Sequence, residues 1–557
     1  MVRVHLRVRD ERANPSPFRA DILVPGARSR AVWSVDGCAE LEAPPGATLR
    51  VSRGFDHDAV ELAVGPASDQ RLEAVLVRRF DARKWGWYGG DNHVHVVHDP
   101  SSDPSLDIAY GARLAQSEGL DYIQLAYQWE PTGAWPDAAE LDLRCREASR
   151  PGVAVSWNVE TPKSFIEEDD GGETGDLHCL GHGWTVGLRD ISRGPGWFHS
   201  GPNYRVLQEV ARQGGVAGVA HPTRSWTHKG NLVSNRNSEL PFDMVAGGPY
   251  AAIDILNDGP AGFFADERVW YTLLNLGYRI AGTANSDACL DRGAGPGRLR
   301  TYVRVRGDFT WDKVVEAIRA GRVVASSGPF VRWSVAGLPP GSEFASDGRV
   351  RRAVMRVWSA PQPAERLTAV QLIRCGEVVR AWDLRNLGIR SWSGAFDLRA
   401  DEFAWYTLRV LSNPVAAPET PPAVAVGGVI WFLPSGFRRP EPTPACVDLS
   451  AVDEAGRPVS GAAVAVIDAE REVARFATDA DGRVRITAPA TACLNVAAAG
   501  FAPGERRIFT DCPEILEACI ATDTAWASLH QPTTYHSMRR LLSGLRMRVT
   551  LRSMPSA

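Results

Sequence analysis

Trp85-Gly86-Trp87-Tyr88-Gly89-Gly90-Asp91-Asn92-His93-Val94-His95 is the stretch on which the reading of this chain turns. If it is extended, His93 and His95 project to one side of a strand, because strand side chains alternate with a period of two. That side then offers two imidazoles to a single metal ion. A His-x-His pair alone says little, since surface histidines produce such pairs by chance. Clustering adds weight: eight of the twelve histidines lie between His93 and His228.

Outward from this stretch, residues 85–330 alternate between strand and helix patterns. A helix is expected over 107–118, closed by Gly119, and a strand over 121–127. In the segment 152–160, Val153, Val155, Trp157 and Val159 share one face, and Glu160 is its last residue. A helix over 203–213 carries Val206, Leu207, Val210 and Ala211 as its apolar stripe. The strand 216–220 runs into His221-Pro222, where proline ends the ladder. Further strands are expected over 251–256, 279–285 and 299–306, with helices over 267–276 and 311–320. Such alternation implies parallel strands, and parallel α/β folds place working residues at the carboxyl ends of strands. Glu160, His221 and Asp287 each lie at such an end. Each has a structural reading of its own: a cap, a satisfied core histidine, a turn former. Together with His93 and His95 they make five candidate ligands on one rim.

The flanks read as β structure. Residues 1–84 show short apolar alternations broken by Pro25-Gly26 and Pro44-Pro45-Gly46, which suits a small β-sandwich. His57, between Asp56 and Asp58, reads there as a solvated loop residue. Residues 331–440 are strand-like and end in the proline-rich linker 440–444. Residues 445–557 read as another β-sandwich with a basic C-terminal helix that packs on the body. The expected class is thus multidomain, α/β plus all-β.

Composition sets the outer bounds. The 557 residues allow three or four domains. An apolar fraction of 44% and a charged fraction of 23% allow a large core. A formal charge of −4 is too near neutral to suggest a nucleic-acid or membrane-surface partner. No apolar run is long enough to span a bilayer. The first residues lack a signal-peptide pattern, so a cytoplasmic protein is expected, unless the true start lies upstream. The nine cysteines contain no CxxC and argue against a disulfide framework. Oligomeric state is not legible.

The segment 90–95, the strand ending at Glu160, Ala220-His221-Pro222 and Asn285-Ser286-Asp287 resemble the ordered motifs of the PHP (polymerase and histidinol phosphatase) superfamily. The Gly-Trp-Tyr lead-in at 86–88, the segment 270–280, and 317–322 leading to Ser327-Gly328-Pro329 are similar to its carbaryl-hydrolase-like (CehA/McbA) branch. Residues 453–500 separately resemble carboxypeptidase-regulatory-like β-sandwiches. The first resemblance implies a distorted (β/α)7 barrel over 85–330, flanked by β-sandwiches, with two divalent transition metal ions (Zn, Mn or Fe). His93, His95, Glu160 and Asp287 would hold one ion. Glu160 would bridge to a second, completed by His182 and His221, with His178 the alternative to His182. Where trinuclear members carry Asp-His and a final histidine, this chain has Tyr127-Gln128 and Cys289, so two ions are expected rather than three. Cys289 reads either as a soft ligand or as a buried neutral thiol.

The chemistry implied is hydrolysis by metal-activated water. His98 is a candidate general acid or a plain loop histidine. Arg224 is a candidate anchor for an anionic substrate group, or a surface arginine. Tyr127 and Gln128 would shape the pocket. An ester, carbamate or amide is expected, since fewer cations would face a phosphate dianion. A PHP-type phosphoesterase is the alternative, and a degenerate barrel serving as a binding scaffold is the non-enzymatic one.

Overall fold

The computed structural model describes residues 1–27, 29–96, 106–126, 137–160, 165–166, 178–179, 182–194, 202–228, 231–234, 237–248, 250–256, 264–293, 295–414, 422–524 and 526–554. The fold is mixed α/β with several sheets, and most of its regular elements are strands.

The N-terminal strand Val2–Asp10 buries Val2, Val4, Leu6 and Val8 on one face, as its alternation requires. It pairs with Cys38–Ala43 and Asp69–Leu76, while Phe18–Leu23 organises a second sheet with Arg30–Ser34, Thr48–Ser52 and Val60–Ala63. Side chains of both sheets, among them Val4, Leu6, Phe18 and Leu49, form one apolar cluster. His57 departs from its expected exposure. It is buried, with Nδ1 2.9 Å from Asp56 Oδ1 and 3.1 Å from the Arg53 carbonyl. Flanking aspartates suggested solvent; instead one of them closes around the ring.

In the alternating region the expected elements form. The helix Ile108–Ser117 starts at Asp107, whose carboxylate accepts from the Tyr110 amide. The helix Trp311–Arg319 starts at Thr310, whose hydroxyl accepts from the Lys313 amide, and it buries Val314, Val315, Ala317 and Ile318. The helix Asn203–Arg212 buries Val206, Leu207 and Val210, but Ala211 is exposed. The strands fall in two sheets. Ala154–Asn158, Tyr122–Ala126 and Trp87–His95 lie parallel in the first. Val216–Val219, Tyr250–Leu256 and Ala281–Ala284 lie parallel in the second. Uniform parallel pairing does not hold, however. Arg300–Arg304 runs antiparallel to Trp87–His95, and Gly183–Val186 runs antiparallel to Val216–Val219. Among the described residues the one helical segment between Ala281–Ala284 and Arg300–Arg304 is the single turn Leu290–Arg292, and the two strands belong to different sheets. Among the described residues no strand is hydrogen-bonded into both sheets.

The first sheet continues past residue 330. Val323–Ser326 pairs with Ala423–Gly427, which pairs in turn with Ala404–Pro414 and then Glu365–Arg374. A separate sheet, Phe330–Val335, Arg351–Trp358 and Ser391–Leu398, packs against it through Phe330, Trp333, Val357, Val370 and Leu408. The C-terminal part has two sheets built on Pro444–Asp453 and Ala463–Asp468. The expected basic helix is Pro532–Leu542, with Tyr535, Met538 and Leu542 buried. Beyond it the chain forms a strand, Leu545–Leu551, parallel to Pro444–Asp453. The helix Pro513–Thr524 was not foreseen. No helix among the described residues is long and apolar enough to cross a membrane.

Candidate metal centre

The strand Trp87–His95 brings His93 and His95 to one side, with their Nε2 atoms 3.1 Å apart. Both residues are 1% exposed. Asp287 approaches from beyond Ala281–Ala284, its Oδ1 3.1 Å from His95 Nε2 and 3.5 Å from His93 Nε2. Glu160, just past Ala154–Asn158, reaches the same space. Its Oε1 lies 3.5 Å from His93 Nε2 and 3.9 Å from His221 Nε2, and its Oε2 3.8 Å from His95 Nε2. His182 leads into Gly183–Val186, and its Nδ1 is 2.5 Å from Glu160 Oε1. The six residues thus gather in two trios with mutually close ligand atoms: His93, His95 and Asp287, and Glu160, His182 and His221. Glu160 faces both.

Backbone strain marks the same place. His221 (φ 28°) and Asp287 (φ 49°) both sit at positive φ without being glycine. Such conformations cost about 1–3 kcal/mol and persist where surrounding structure holds them. That structure is visible. Asn237 Nδ2 donates to the carbonyls of both His182 and Ala220, stapling the two histidine segments together. Asp91, fully buried, accepts from the amides of His93, Ser286 and Gly297 and from the Ser286 hydroxyl. Asn285 Oδ1 accepts from Asn92 N and Nδ2 at 2.9 Å, and Asn285 Nδ2 donates to Asp254 at 2.6 Å. Asn158 Nδ2 donates to the Asn92 carbonyl. None of Asp91, Asn92, Asn237, Asp254 or Asn285 was singled out as a functional residue in the sequence. For Asp91, Asn92 and Asp254 the available signal was polarity inside strands whose neighbours are buried; Asn237 and Asn285 lie outside the strands and gave none.

Charges are arranged to attract a cation. Burial pushes the His93 pKa down, but the Asp287 and Glu160 carboxylates outweigh it and lift the pKa to about 9. Burial pushes Glu160 up, yet His182, His221 and His93 hold it well below the usual carboxylate range. Asp287 is likewise held low against burial by His93, His95 and His221. His221 is lowered, by burial first and then by Arg224. A pair of carboxylates that binds a proton on imidazole this strongly draws a metal cation by the same field.

The donor set fits such a cation. Two imidazole nitrogens bound to one zinc at ~2.0–2.1 Å and near-tetrahedral angle lie roughly 3.3 Å apart, close to the 3.1 Å between His93 Nε2 and His95 Nε2. Imidazole with carboxylate suits zinc, manganese or iron. Cys289 is not part of either trio. Its thiol lies 4.0 Å from the Asp287 carbonyl and is pushed up to about 12, by burial and then by Asp287, so it stays neutral.

Arg224 sits against a different anion from the one expected. Its Nη1 contacts Asp287 Oδ2, so it pairs with a candidate ligand rather than standing ready for substrate alone. Arg298, unnoticed in the sequence, donates to the Ser286 carbonyl at 3.0 Å. Burial, and after it Asp91 and Arg224, shape its pKa, which is lowered overall. His98, Tyr127 and Gln128 lie outside the described residues. His178 lies on the short strand His178–Cys179, whose side chains are also outside them.

No protein-family model matches the chain, and no curated protein matches it. Solved structures match in part. A two-domain protein from Bacteroides vulgatus, described as containing a predicted PHP-like metal-dependent phosphoesterase, is 13% identical, with a TM-score of 0.32 over 62% of this chain and 94% of that one. The lesion-specific endonuclease PfuEndoQ from Pyrococcus furiosus is 14% identical, with a TM-score of 0.26 over 42% of this chain and 56% of that one. The major pilin subunit BcpA of Bacillus cereus is 10% identical, with a TM-score of 0.13 over 33% and 64%. At such low scores the likenesses assign neither family nor activity, and the functional reading rests on the geometry of the six residues.

Proposed function

We propose that this protein is a metal-dependent hydrolase that acts on an ester, carbamate or amide bond of a small molecule. The observation that carries the reading is the convergence of His93, His95 and Asp287 with Glu160, His182 and His221 in one buried, strained and negatively biased site. His93, His95 and Asp287 would hold one divalent ion and His182 and His221 a second, with Glu160 between them. Such ions supply an acidified water and polarise the substrate oxygen. The chain's own residues do the rest. Asn285, Asn92 and Asp91 fix the strand ends that present the ligands. Arg224, half-exposed beside Asp287, orients that carboxylate. The neutral Cys289 thiol fits a centre of two ions rather than three.

A phosphoester is the second reading, and Arg224 with Arg298 favours it. Two guanidiniums near Asp287 offer forks for a phosphate. A hydrolysis screen of aryl esters, carbamates and phosphodiesters on metal-loaded protein separates the two. Purified protein should carry about two equivalents of transition metal. His93→Ala should lose metal and activity while unfolding as wild type does. A protein that takes up no metal after reconstitution, or a His93→Ala variant with full activity, would leave a binding scaffold as the better account.

A further inference from the structure

A cavity of about 230 Å3 lies along Phe330–Val335, the edge strand of its sheet, beside the turn that leads into Trp87–His95. It shares no lining residue with the metal centre. Among the described residues no aspartate or glutamate lines it, whereas Arg304, Arg332 and Arg356 do. Backbone pairing brings these arginines together. Arg332 and Arg356 are direct partners across the antiparallel strands Phe330–Val335 and Arg351–Trp358. Such partners stand ~4.5–5.5 Å apart at Cα, with their side chains on one face. Arg304 is in turn the cross-strand partner of Trp87, which also lines the cavity. Aromatic rings fix the two exposed guanidiniums. Arg332 Cζ stands 4.9 Å from the Trp85 ring centre and Arg356 Cζ 5.0 Å from that of Trp358, and these two indoles stack at 5.3 Å. A guanidinium lying over an indole keeps its N–H edge free for an acceptor. Among the described residues that edge is unused: none of the three arginines makes an ion pair or a side-chain hydrogen bond. Trp333, a buried residue of the cavity wall, likewise has no acceptor for its Nε1 among them. Burial, then Arg306, Arg332 and Arg322, lowers the pKa of the half-buried Arg304.

Like charges placed opposite one another on a sheet are destabilising. Cation–π contact offsets part of that but supplies no hydrogen-bond acceptor. The wall is therefore rich in donors and lacks a carboxylate, the reverse of the metal centre. Planar guanidinium forks match the oxygens of a tetrahedral oxyanion. A bare ion would leave much of the space unfilled, since a water takes only about 30 Å3. We propose that this cavity binds a small molecule through a phosphate or sulfate group, held by Arg332 and Arg356 with Arg304 beside them. Pro339 and Met355, which also line the space, receive the organic part.

Calorimetric titration of the full chain at low ionic strength, with inorganic phosphate, phenylphosphonate and benzenesulfonate, tests this. Neither aryl probe has an ester bond for a hydrolase to cleave. Saturable binding of an aryl probe, tighter than inorganic phosphate, is expected, and the tighter of the two identifies the anionic group. Arg332→Ala and Arg356→Ala should each weaken it about tenfold, the loss of a charged hydrogen bond. Both side chains are exposed, so these variants keep the test valid if Arg304→Ala unfolds. Arg352 lies on the same strand as Arg356 but pairs with Asp397 at 3.1 Å, and Arg352→Ala should bind as wild type does. So should His93→Ala. No saturable binding at millimolar concentration would overturn the proposal. So would wild-type binding by Arg332→Ala and Arg356→Ala, or inorganic phosphate binding as tightly as the aryl anions. An equal loss in Arg352→Ala would reduce the effect to net charge, and a loss in His93→Ala would place the anion at the metal centre; either result overturns the assignment.

Discussion

Asn285 is tied to three strands at once. Its Oδ1 takes both Asn92 donors, its Nδ2 serves Asp254, and Thr301 Oγ1 lies 3.3 Å from its Oδ1. Two residues later the chain must turn to place Asp287 at positive φ. Asn285→Ala would leave Asn92 and Asp254 buried with fewer partners. Each orphaned buried group costs about 1–3 kcal/mol, and supporting residues of this kind change metal affinity by roughly 10–100-fold. Urea unfolding should therefore show a loss on the order of 3 kcal/mol, and metal titration should show weaker uptake. Wild-type values for both would mean the network is ornamental. At this scale the sequence was informative about residues that end strands. His93, His95, Glu160, His221 and Asp287 declare themselves by position, whereas His182 came only from resemblance. Asn285 and Asp91 stayed hidden because their partners lie 193 and 195 residues away. Local pattern carries no signal of such pairings.

Elements are legible where one face is apolar and their ends are capped. The helices begun by Asp107 and Thr310 are of that kind. Strand direction is harder, because pairing depends on how the chain returns and not on the strand's own residues. The antiparallel insertions of Gly183–Val186 and Arg300–Arg304 show this. The strand Val216–Val219, which leads to His221, illustrates what close pairing demands. A Cβ on Gly218 would run into the Trp184 indole, which is fully buried and donates to Asp254 at 3.2 Å. Gly218→Ala must therefore displace either the ring or the strand. Overpacking of this sort costs about 1–3 kcal/mol, and the displaced strand carries a candidate ligand. A lower melting temperature, altered tryptophan fluorescence and reduced metal uptake are expected together. A variant that melts and binds metal like wild type would show that the indole has room to move.

Across the whole molecule, the composition allowed a large core but gave no view of how the regions join. The sheet that begins with Ala154–Asn158 runs on to Glu377–Asp383, so the strand pattern changes at residue 330 while the hydrogen-bonded ladder does not. Another junction is electrostatic. Glu239 and Asp243, both fully buried, stand just before and within the first turn of the helix Leu240–Ala246, and burial, then these two carboxyl groups, push up the thiol of Cys519 on the helix Pro513–Thr524. Burial raises Asp243 to about 8, the opposing influence of Glu239 and Tyr250 notwithstanding, and burial with Asp243 beside it raises Glu239 well above its usual range. A carboxyl group whose folded pKa is raised keeps its proton after the unfolded chain has lost it. Its contribution is full below about pH 4, the ordinary carboxylate pKa, and is lost as pH climbs through about 8. Asp243→Asn removes that dependence and keeps the shape. Relative to wild type, the variant should gain stability steadily between about pH 5 and pH 8, read as the difference in urea midpoint at each pH. Carboxylates held low elsewhere, Glu160 and Asp287 among them, weaken both proteins alike in acid and cancel from the difference. A difference that stays constant over this window would mean that Asp243 is ionised throughout, and that something other than a retained proton makes the junction stable.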